Sequence, residues 1–134
     1  VYGRQGGLPG FFAWQGGERG AVGYIGDGGG HWSLVHVDDI AALYVLALRA
    51  PAGSVYLGVT GQDKTTKEVA EALSHAVGVP GKTVSMTVEE LRSSLGMVAD
   101  ALALDQRFAT TRARDELGWQ PKRLNVLAEL AQGI

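Results

Sequence analysis

The sequence lacks several features that would assign it directly to a class of protein. It contains no cysteine, which excludes disulfides and thiolate metal sites. Its 12 basic residues are scattered and its net charge is -2, so no nucleic-acid surface is predicted. The longest apolar stretch, residues 40–48, is too short to span a membrane, and no signal peptide is visible. We therefore expect a cytoplasmic protein that binds neither nucleic acid nor membrane.

The rest of the composition predicts a single globular domain over residues 1–134. Hydrophobic residues make up 46% of the chain, which is enough for a core, and the mean hydropathy is near zero. The chain does not begin with methionine, and residues 1–4 are typical of a strand end that enters a loop. We therefore expect a fragment of a longer protein, with a processed terminus as the alternative.

Apolar patterns predict an α/β fold in which strands and helices alternate over roughly the first 80 residues, followed by mainly helical structure. The glycine-rich residues 3–10 are expected to form a loop, with a short helix after it that ends at Gly16 and Gly17. The strands are predicted at residues 21–25, 31–37, 55–59 and 82–86, the third of them buried on both faces. Later helix starts are predicted from two capping boxes, at residues 65–68 and 87–90, and from a cap at Thr110 or Thr111.

The run from Trp32 to Ile40 brings a histidine and two carboxylates to the carboxyl end of a predicted strand. In open α/β sheets ligands bind at this edge. Asp38 or Asp39 is placed to cap the following helix, and an acid/base pair is the alternative. His36 is a candidate to bind substrate or to orient Asp38, and its alternative role is that of a structural, hydrogen-bonded histidine.

Two further side chains are candidates for contact with a ligand. Trp32 offers stacking and apolar area, which suit a ligand of little charge, and its alternative role is that of a core or lid residue. Arg4 is placed to grip a carboxylate or phosphate, unless it is a solvent-exposed loop residue. No His, Asp or Glu cluster has metal-ligand spacing and no serine lies in a nucleophile elbow, so neither a metal site nor a hydrolase triad is predicted.

Short motifs occur in a fixed order along nearly the whole chain. They are the strand end at residues 1–3, the Ile-Gly-Asp-Gly run at 25–28, the junction at 31–39, the strand and helix start at 56–68, and Ala-x-x-Glu-Leu-Gly-Trp-x-Pro at 113–121. None of them is specific alone. The ordered set resembles the C-terminal part of the extended short-chain dehydrogenases/reductases, the NAD-dependent epimerase/dehydratase family.

The resemblance implies the C-terminal portion of a Rossmann-type fold, with a few strands and a mainly helical substrate-binding part. The N-terminal dinucleotide-binding half is expected to be absent, because the glycine runs at residues 3–10 and 26–30 lack the spacing of its loop and no tyrosine is followed four residues on by lysine. We therefore predict no catalytic, cofactor-binding or metal-binding residue in this chain, and NAD or NADP only in the full-length parent. The predicted substrate-binding residues are Tyr2, Arg4, Trp32 and His36.

The predicted function is that of the substrate-binding fragment of an NAD(P)-dependent epimerase/dehydratase or reductase. The parent oxidoreductase would act on a sugar-like substrate or a small alcohol or carbonyl compound, and whether this chain alone is an enzyme stays open. One alternative is a stand-alone, non-catalytic binding or regulatory module, and another is a hydrolase or lyase that uses His36 with the two acids. The expected partners are the small-molecule substrate, the missing N-terminal half and a second copy in a homodimer, because exposed apolar edges associate.

Overall fold

The computed structural model describes residues 1–4, 6–109 and 111–133. They form an α/β arrangement with the helices α1 (Gly7–Arg19), α2 (Val37–Ala47), α3 (Thr66–Ala76), α4 (Val88–Leu95), α5 (Val98–Leu102), α6 (Thr111–Leu117) and α7 (Val126–Ala131). The strands are β1 (Val22–Ile25), β2 (His31–Ser33), β3 (Asp63–Thr65) and β4 (Thr83–Met86). The predicted cap Thr110 lies outside the described residues, and no helix within them is long and apolar enough to cross a membrane.

The strands form two small sheets within the described part of the chain. β1 and β4 pair in parallel, which confirms the strands predicted at residues 21–25 and 82–86, and β2 and β3 pair antiparallel. The strand predicted over residues 31–37 is regular only in β2. Beyond β2, His36 makes a single parallel bridge with Tyr2 and the chain then turns into α2. Strands and helices alternate as predicted, but the second strand is shorter than predicted, and the third lies at residues 63–65 instead of 55–59.

α1 begins inside the segment predicted as a loop, residues 3–10, so that prediction is wrong. Glycine is a poor helix former, and here tertiary packing outweighs its low propensity. A Cβ on Gly16 would lie 2.5 Å from Cγ2 of Val22, so this glycine lets α1 approach β1 closely. The helix also continues past the predicted stop at Gly16 and Gly17 and ends at Gly20, whose φ of 74° is the left-handed conformation that glycine adopts readily.

Residues 55–59 do not form a strand, so the prediction of a buried strand is also wrong. Val55 is 71% exposed and Leu57 is 49% exposed. The other side of the run packs on α2, because a Cβ on Gly58 would come within 2.0 Å of Cδ1 of Ile40. A strand that is buried on both faces needs packed neighbours on both sides. Within the described residues, one side of this run faces solvent.

The larger core cluster has α3 at its centre. Val69 and Leu73 of this helix are almost fully buried, and α3 contacts α1, β1 and α7. The predicted capping box starts it: the Thr65 hydroxyl accepts the Glu68 N–H, and the Glu68 carboxylate accepts the Thr65 N–H. The Thr65 backbone and side-chain hydrogen bonds hold the pKa of Glu68 below its ordinary value. The second predicted box, at residues 87–90, is likewise confirmed at the start of α4.

A smaller core cluster fastens the C-terminal segment to α2. It contains Val35, Leu43, Ala113 and Trp119. Trp119 is 1% exposed, and its indole N–H donates to the carbonyl oxygen of Asp39 at 2.9 Å. Trp119 therefore combines a large buried apolar surface with a satisfied polar group, which is how a buried tryptophan is stabilised.

Trp119→Ala is expected to lower the free energy of unfolding by about 3–5 kcal/mol, because it removes a fully buried aromatic ring and leaves a cavity. Urea denaturation followed by circular dichroism measures the change. Trp14→Ala is the matched control, since Trp14 is 66% exposed. The control should change stability by less than about 0.5 kcal/mol. An unchanged stability of Trp119→Ala would show that the indole does not anchor the C-terminal segment.

Candidate functional site

Two distant segments run side by side at the predicted ligand-binding edge. The Tyr2 N–H donates to the Val35 carbonyl at 3.0 Å, and the Val37 N–H donates to the Tyr2 carbonyl at 2.8 Å. The pairing is parallel, and α1 and α2 begin shortly after the two paired segments. The side chains at these two segment ends are thereby brought to one edge, the position at which open α/β sheets bind ligands.

His36 is the N-cap of α2, so the prediction that Asp38 or Asp39 caps this helix is wrong. Nδ1 of His36 accepts the Asp38 N–H at 3.1 Å. Because the helix begins at Val37, both acids lie in its first turn, where carboxylates interact favourably with the helix dipole. Asp39 is buried, and its two carboxylate oxygens accept the backbone N–H groups of residues 122–123 at 2.9 and 2.8 Å. The Asp39 carboxylate is therefore engaged in holding the C-terminal segment.

Arg4 is paired with Asp38 across the junction. Nη2 of Arg4 lies 2.8 Å from Oδ1 of Asp38, and Nη2 of Arg123 lies 3.9 Å from Oδ2 of the same carboxylate. The Arg4 side chain is 77% exposed, and its φ of 53° is unusual for a residue other than glycine. The predicted grip of Arg4 on an anionic ligand therefore requires that this ion pair opens.

A cavity of about 160 Å³ lies beside this junction, and we call it the polar cavity. Its lining includes Tyr2, Arg4, His36, Arg123 and Glu129. Tyr2 is 1% exposed, and its hydroxyl donates to Oε2 of Glu129 at 3.3 Å. The rings of Tyr2 and His36 meet edge to face, with centroids 5.2 Å apart. Burial raises the pKa of the Tyr2 hydroxyl, and the negative charge of Glu129 raises it further. Tyr2 is therefore a neutral hydrogen-bond donor here.

A second cavity, of about 190 Å³, is called the apolar cavity. The side chains that line it come mainly from the start of the chain, from β2, from α5 and from the segment after α5. Its apolar walls include Leu8, Trp32, Leu34, Val59, Leu102 and Phe108. The Trp32 indole N–H donates to the Leu102 carbonyl at 2.9 Å, and its ring lies 5.5 Å from that of Phe12, centroid to centroid. Trp32 thus packs against the core with one part and lines the cavity with another.

The segment at residues 105–108 contributes to one wall of the apolar cavity, and hydrogen bonds hold this segment against β2. Oδ1 of Asp105 accepts the His31 backbone N–H at 2.9 Å and lies 2.8 Å from Nδ1 of the same histidine. These two contacts, the backbone one first, hold the pKa of the Asp105 carboxyl below its ordinary value. The Phe108 N–H donates to Oγ of Ser33 at 3.2 Å. The Phe108 ring is thereby held at the cavity wall.

The four predicted substrate-binding residues are divided between the two cavities. Trp32 lines the apolar cavity, and the other three line the polar one. Sequence reasoning missed Phe108 and Glu129, because each reaches its cavity through contacts with residues far away in the chain and neither lies in a recognisable local pattern. The motif at residues 113–121 was the nearest signal, since it indicates that the C-terminal segment returns to the start of the chain.

The glycines of the described residues do not form a dinucleotide-binding loop. The spacing Gly-x-x-Gly-x-x-Gly does occur, in overlapping matches between Gly17 and Gly29 that the glycine runs considered above do not include. These matches follow the end of α1, β1 and the turn to β2, whereas a pyrophosphate loop joins a strand to the N-terminus of a helix. A Cβ on Gly23 would lie 2.2 Å from Sδ of Met86, so this glycine serves strand packing. The described glycines therefore offer no strand-to-helix loop that would hold the pyrophosphate of NAD or NADP. Among the described residues, no group of three acidic or histidine side chains is placed to hold a metal ion.

Comparison with known proteins finds relatives that are much longer than this chain. No family model matches it. An uncharacterized protein of Schizosaccharomyces pombe is 32% identical over 115 residues, which are 85% of this chain and 38% of that protein. An uncharacterized protein of Saccharomyces cerevisiae is 31% identical over 112 residues, 83% of this chain and 37% of that protein. A UDP-glucose 4-epimerase of Mycolicibacterium smegmatis is 33% identical over 113 residues, 82% of this chain and 31% of its own length.

Two solved structures share the fold over the whole of this chain. The UDP-glucose 4-epimerase of Thermotoga maritima, solved with UDP-glucose, has a TM-score of 0.69 and 23% identity, and the likeness covers 98% of this chain and 38% of that one. A human epimerase family protein, solved with NADPH, has a TM-score of 0.76 and 24% identity, covering 100% of this chain and 46% of that one. The chain therefore has the α/β fold of the C-terminal part of the extended short-chain dehydrogenases/reductases, and the resemblance predicted from its motifs is confirmed.

Proposed function

We propose that this chain is the substrate-binding, C-terminal part of a longer cytoplasmic epimerase, dehydratase or reductase that uses NAD or NADP. The observation that carries the proposal is the pair of cavities at the junction. Tyr2 and His36 face the polar cavity, and Val1 and Leu34, their neighbours in the same two segments, face the apolar one. The relatives solved with UDP-glucose and with NADPH support an oxidoreductase parent. Its substrate is a sugar-like compound or a small alcohol or carbonyl compound.

A stand-alone binding module is the second candidate, because residues of this chain alone form both cavities. A hydrolase or lyase that uses His36 and the two acids is less well supported. Nδ1 of His36 accepts a backbone N–H, and both oxygens of Asp39 do the same. Asp38 is paired with Arg4. Most of the groups that such a mechanism would need are therefore already bonded within the chain.

The isolated chain is expected to bind NADH and NADPH only with a Kd above about 1 mM, because its glycines form no pyrophosphate loop. Isothermal titration calorimetry measures this. The comparison is the complete protein that contains this sequence, which we expect to bind one of the two cofactors with a micromolar Kd. Micromolar binding by the isolated chain, or none by the complete protein, would contradict the proposal.

In the complete protein, Trp32→Ala is expected to raise KM for the substrate by roughly tenfold and to leave KM for NAD(P) within about twofold. The reason is that Trp32 lines the apolar cavity, whereas the cofactor contacts belong to the other half; a tenfold loss corresponds to about 1.4 kcal/mol of binding. Steady-state kinetics with each reactant varied in turn separates the two constants. Trp14→Ala is the control, because that side chain is 66% exposed. An effect on NAD(P) alone would place Trp32 outside the substrate site.

We propose that the outer face of α2 contacts the N-terminal half of the complete protein. Tyr44, Val45 and Leu48 are 71%, 63% and 85% exposed. A groove lined by Ile40, Leu43, Tyr44, Ala47, Ser54 and Tyr56 runs along the same face. Clustered apolar side chains of this kind mark an interaction surface. In the isolated chain a second copy takes the place of that half, which gives the predicted homodimer.

Leu48→Glu is expected to convert the isolated chain from dimer to monomer, because it places a charge on this apolar face, at the end of α2. Sedimentation velocity at several protein concentrations measures the association. Met97→Glu is the matched control, since Met97 is 89% exposed but lies between α4 and α5. A wild-type chain that stays monomeric at high concentration, or a Met97→Glu variant that dissociates equally, would contradict the proposed contact.

A further inference from the structure

The walls of the apolar cavity carry no charged side chain within the described residues. Its two polar side chains, Ser33 and Gln106, are both engaged inside the chain. The Ser33 hydroxyl donates to the Asp63 carboxylate and accepts the Phe108 N–H, and the Gln106 amide donates to the Ala101 carbonyl at 3.5 Å. Both polar side chains of these walls therefore already have hydrogen-bond partners within the chain.

The groups around the cavity also disfavour negative charge within it. The Trp32 indole N–H, which could otherwise donate to a ligand, is already bonded to the Leu102 carbonyl. Arg107, the basic residue between two residues of the cavity wall, has Nη2 at 3.1 Å from Nδ1 of His31 and Nε at 3.9 Å from Asp105. A diphosphate placed here would lose its water and gain no charged partner, which is costly.

The size of the cavity fits a single ring. Its volume of about 190 Å³ is slightly larger than an apolar protein cavity of about 150 Å³ that is known to bind benzene. Trp32 and Phe108 both line it, and Phe108 is 39% exposed, so a ligand has a way in beside that ring. Aromatic walls of this kind stack well on another aromatic ring.

We propose that the apolar cavity binds the uncharged, ring-sized apolar end of a small carbonyl or alcohol substrate and does not accept a nucleoside diphosphate. This inference rests on the proposed function, because it names the substrate class of the same site. Leu8, Leu34 and Leu102 supply the apolar contacts, and Trp32 and Phe108 supply the stacking surfaces. The substrate's reacting carbon then lies outside the cavity, toward the part of the protein that holds the cofactor.

The test is a titration of the ¹⁵N-labelled chain with benzyl alcohol, and separately with UDP-glucose, followed by the indole N–H signals in NMR spectra. The chain has three tryptophans, and Trp32→Phe identifies the signal of Trp32. Benzyl alcohol is expected to shift the Trp32 signal in a saturable way and to leave the signals of Trp14 and Trp119 in place. UDP-glucose is expected to shift none of the three.

A matched pair of variants locates the binding. Ala101→Phe adds a ring to the cavity wall and is expected to weaken benzyl alcohol binding about tenfold or more, as filling a small cavity does. Ala103→Phe, at an exposed position two residues later that does not line the cavity, is expected to change nothing. Dispersed spectra of both variants establish that they are folded.

Three results would overturn the inference. A Trp32 shift caused by UDP-glucose and not by benzyl alcohol would reverse the substrate class. Binding of benzyl alcohol that Ala101→Phe leaves unchanged would place the ligand elsewhere, and a Trp32 signal that neither compound moves would show that the cavity is not a ligand site. None of them decides the proposed function, which is tested separately by cofactor binding and by the NAD(P)-dependent activity of the complete protein.

Discussion

The buried carboxylate of Asp39 is the constraint on which the arrangement of the site depends. An ionised carboxylate out of contact with water needs hydrogen-bond donors, and here two backbone N–H groups of residues 122–123 provide them. The carbonyl of the same residue accepts the indole N–H of Trp119. The C-terminal segment is therefore fixed against the first turn of α2, and α7, which follows it, brings Glu129 to the Tyr2 hydroxyl. The Asp39 carboxylate and the packing of α7 on α3 together hold the walls of the polar cavity in place.

The two cavities differ because their walls come from different parts of the chain. The polar cavity lies between the first residues and the C-terminal segment, where charged side chains pair across the junction, as Arg4 does with Asp38. The apolar cavity lies between β2 and the segment after α5, where Trp32 packs against the larger core cluster. The polar cavity therefore offers hydrogen-bonding groups and the apolar cavity an apolar contact surface, the two kinds of contact that small-molecule sites combine.

A structural feature could be predicted from the sequence when its signal lies within a few neighbouring residues. The capping box at Thr65 needs only four consecutive residues, and it is found where it was predicted. The short helix predicted before Gly16 lies within α1, but the start of α1 at Gly7 and its end at Arg19 could not be predicted, because its glycines are tolerated through packing on β1, a long-range effect. The cap of α2 was assigned to the acids since they are common N-caps, whereas the parallel bridge with Tyr2 sets the helix start one residue after His36. The apolar pattern of residues 55–59 predicts a strand that is buried on both faces, and such a strand needs packed neighbours on both sides. The described residues cover only one side of this run.

The central claim is that this chain holds the substrate for chemistry performed on a cofactor bound elsewhere in a longer protein. A crystal structure of the complete protein with NADP⁺ and acetophenone would test it most directly. We expect the phenyl ring to lie in the apolar cavity against Trp32 and the carbonyl carbon to lie about 3.5 Å from C4 of the nicotinamide. A nicotinamide on the far side of the molecule, with the apolar cavity facing away from it, would contradict the account.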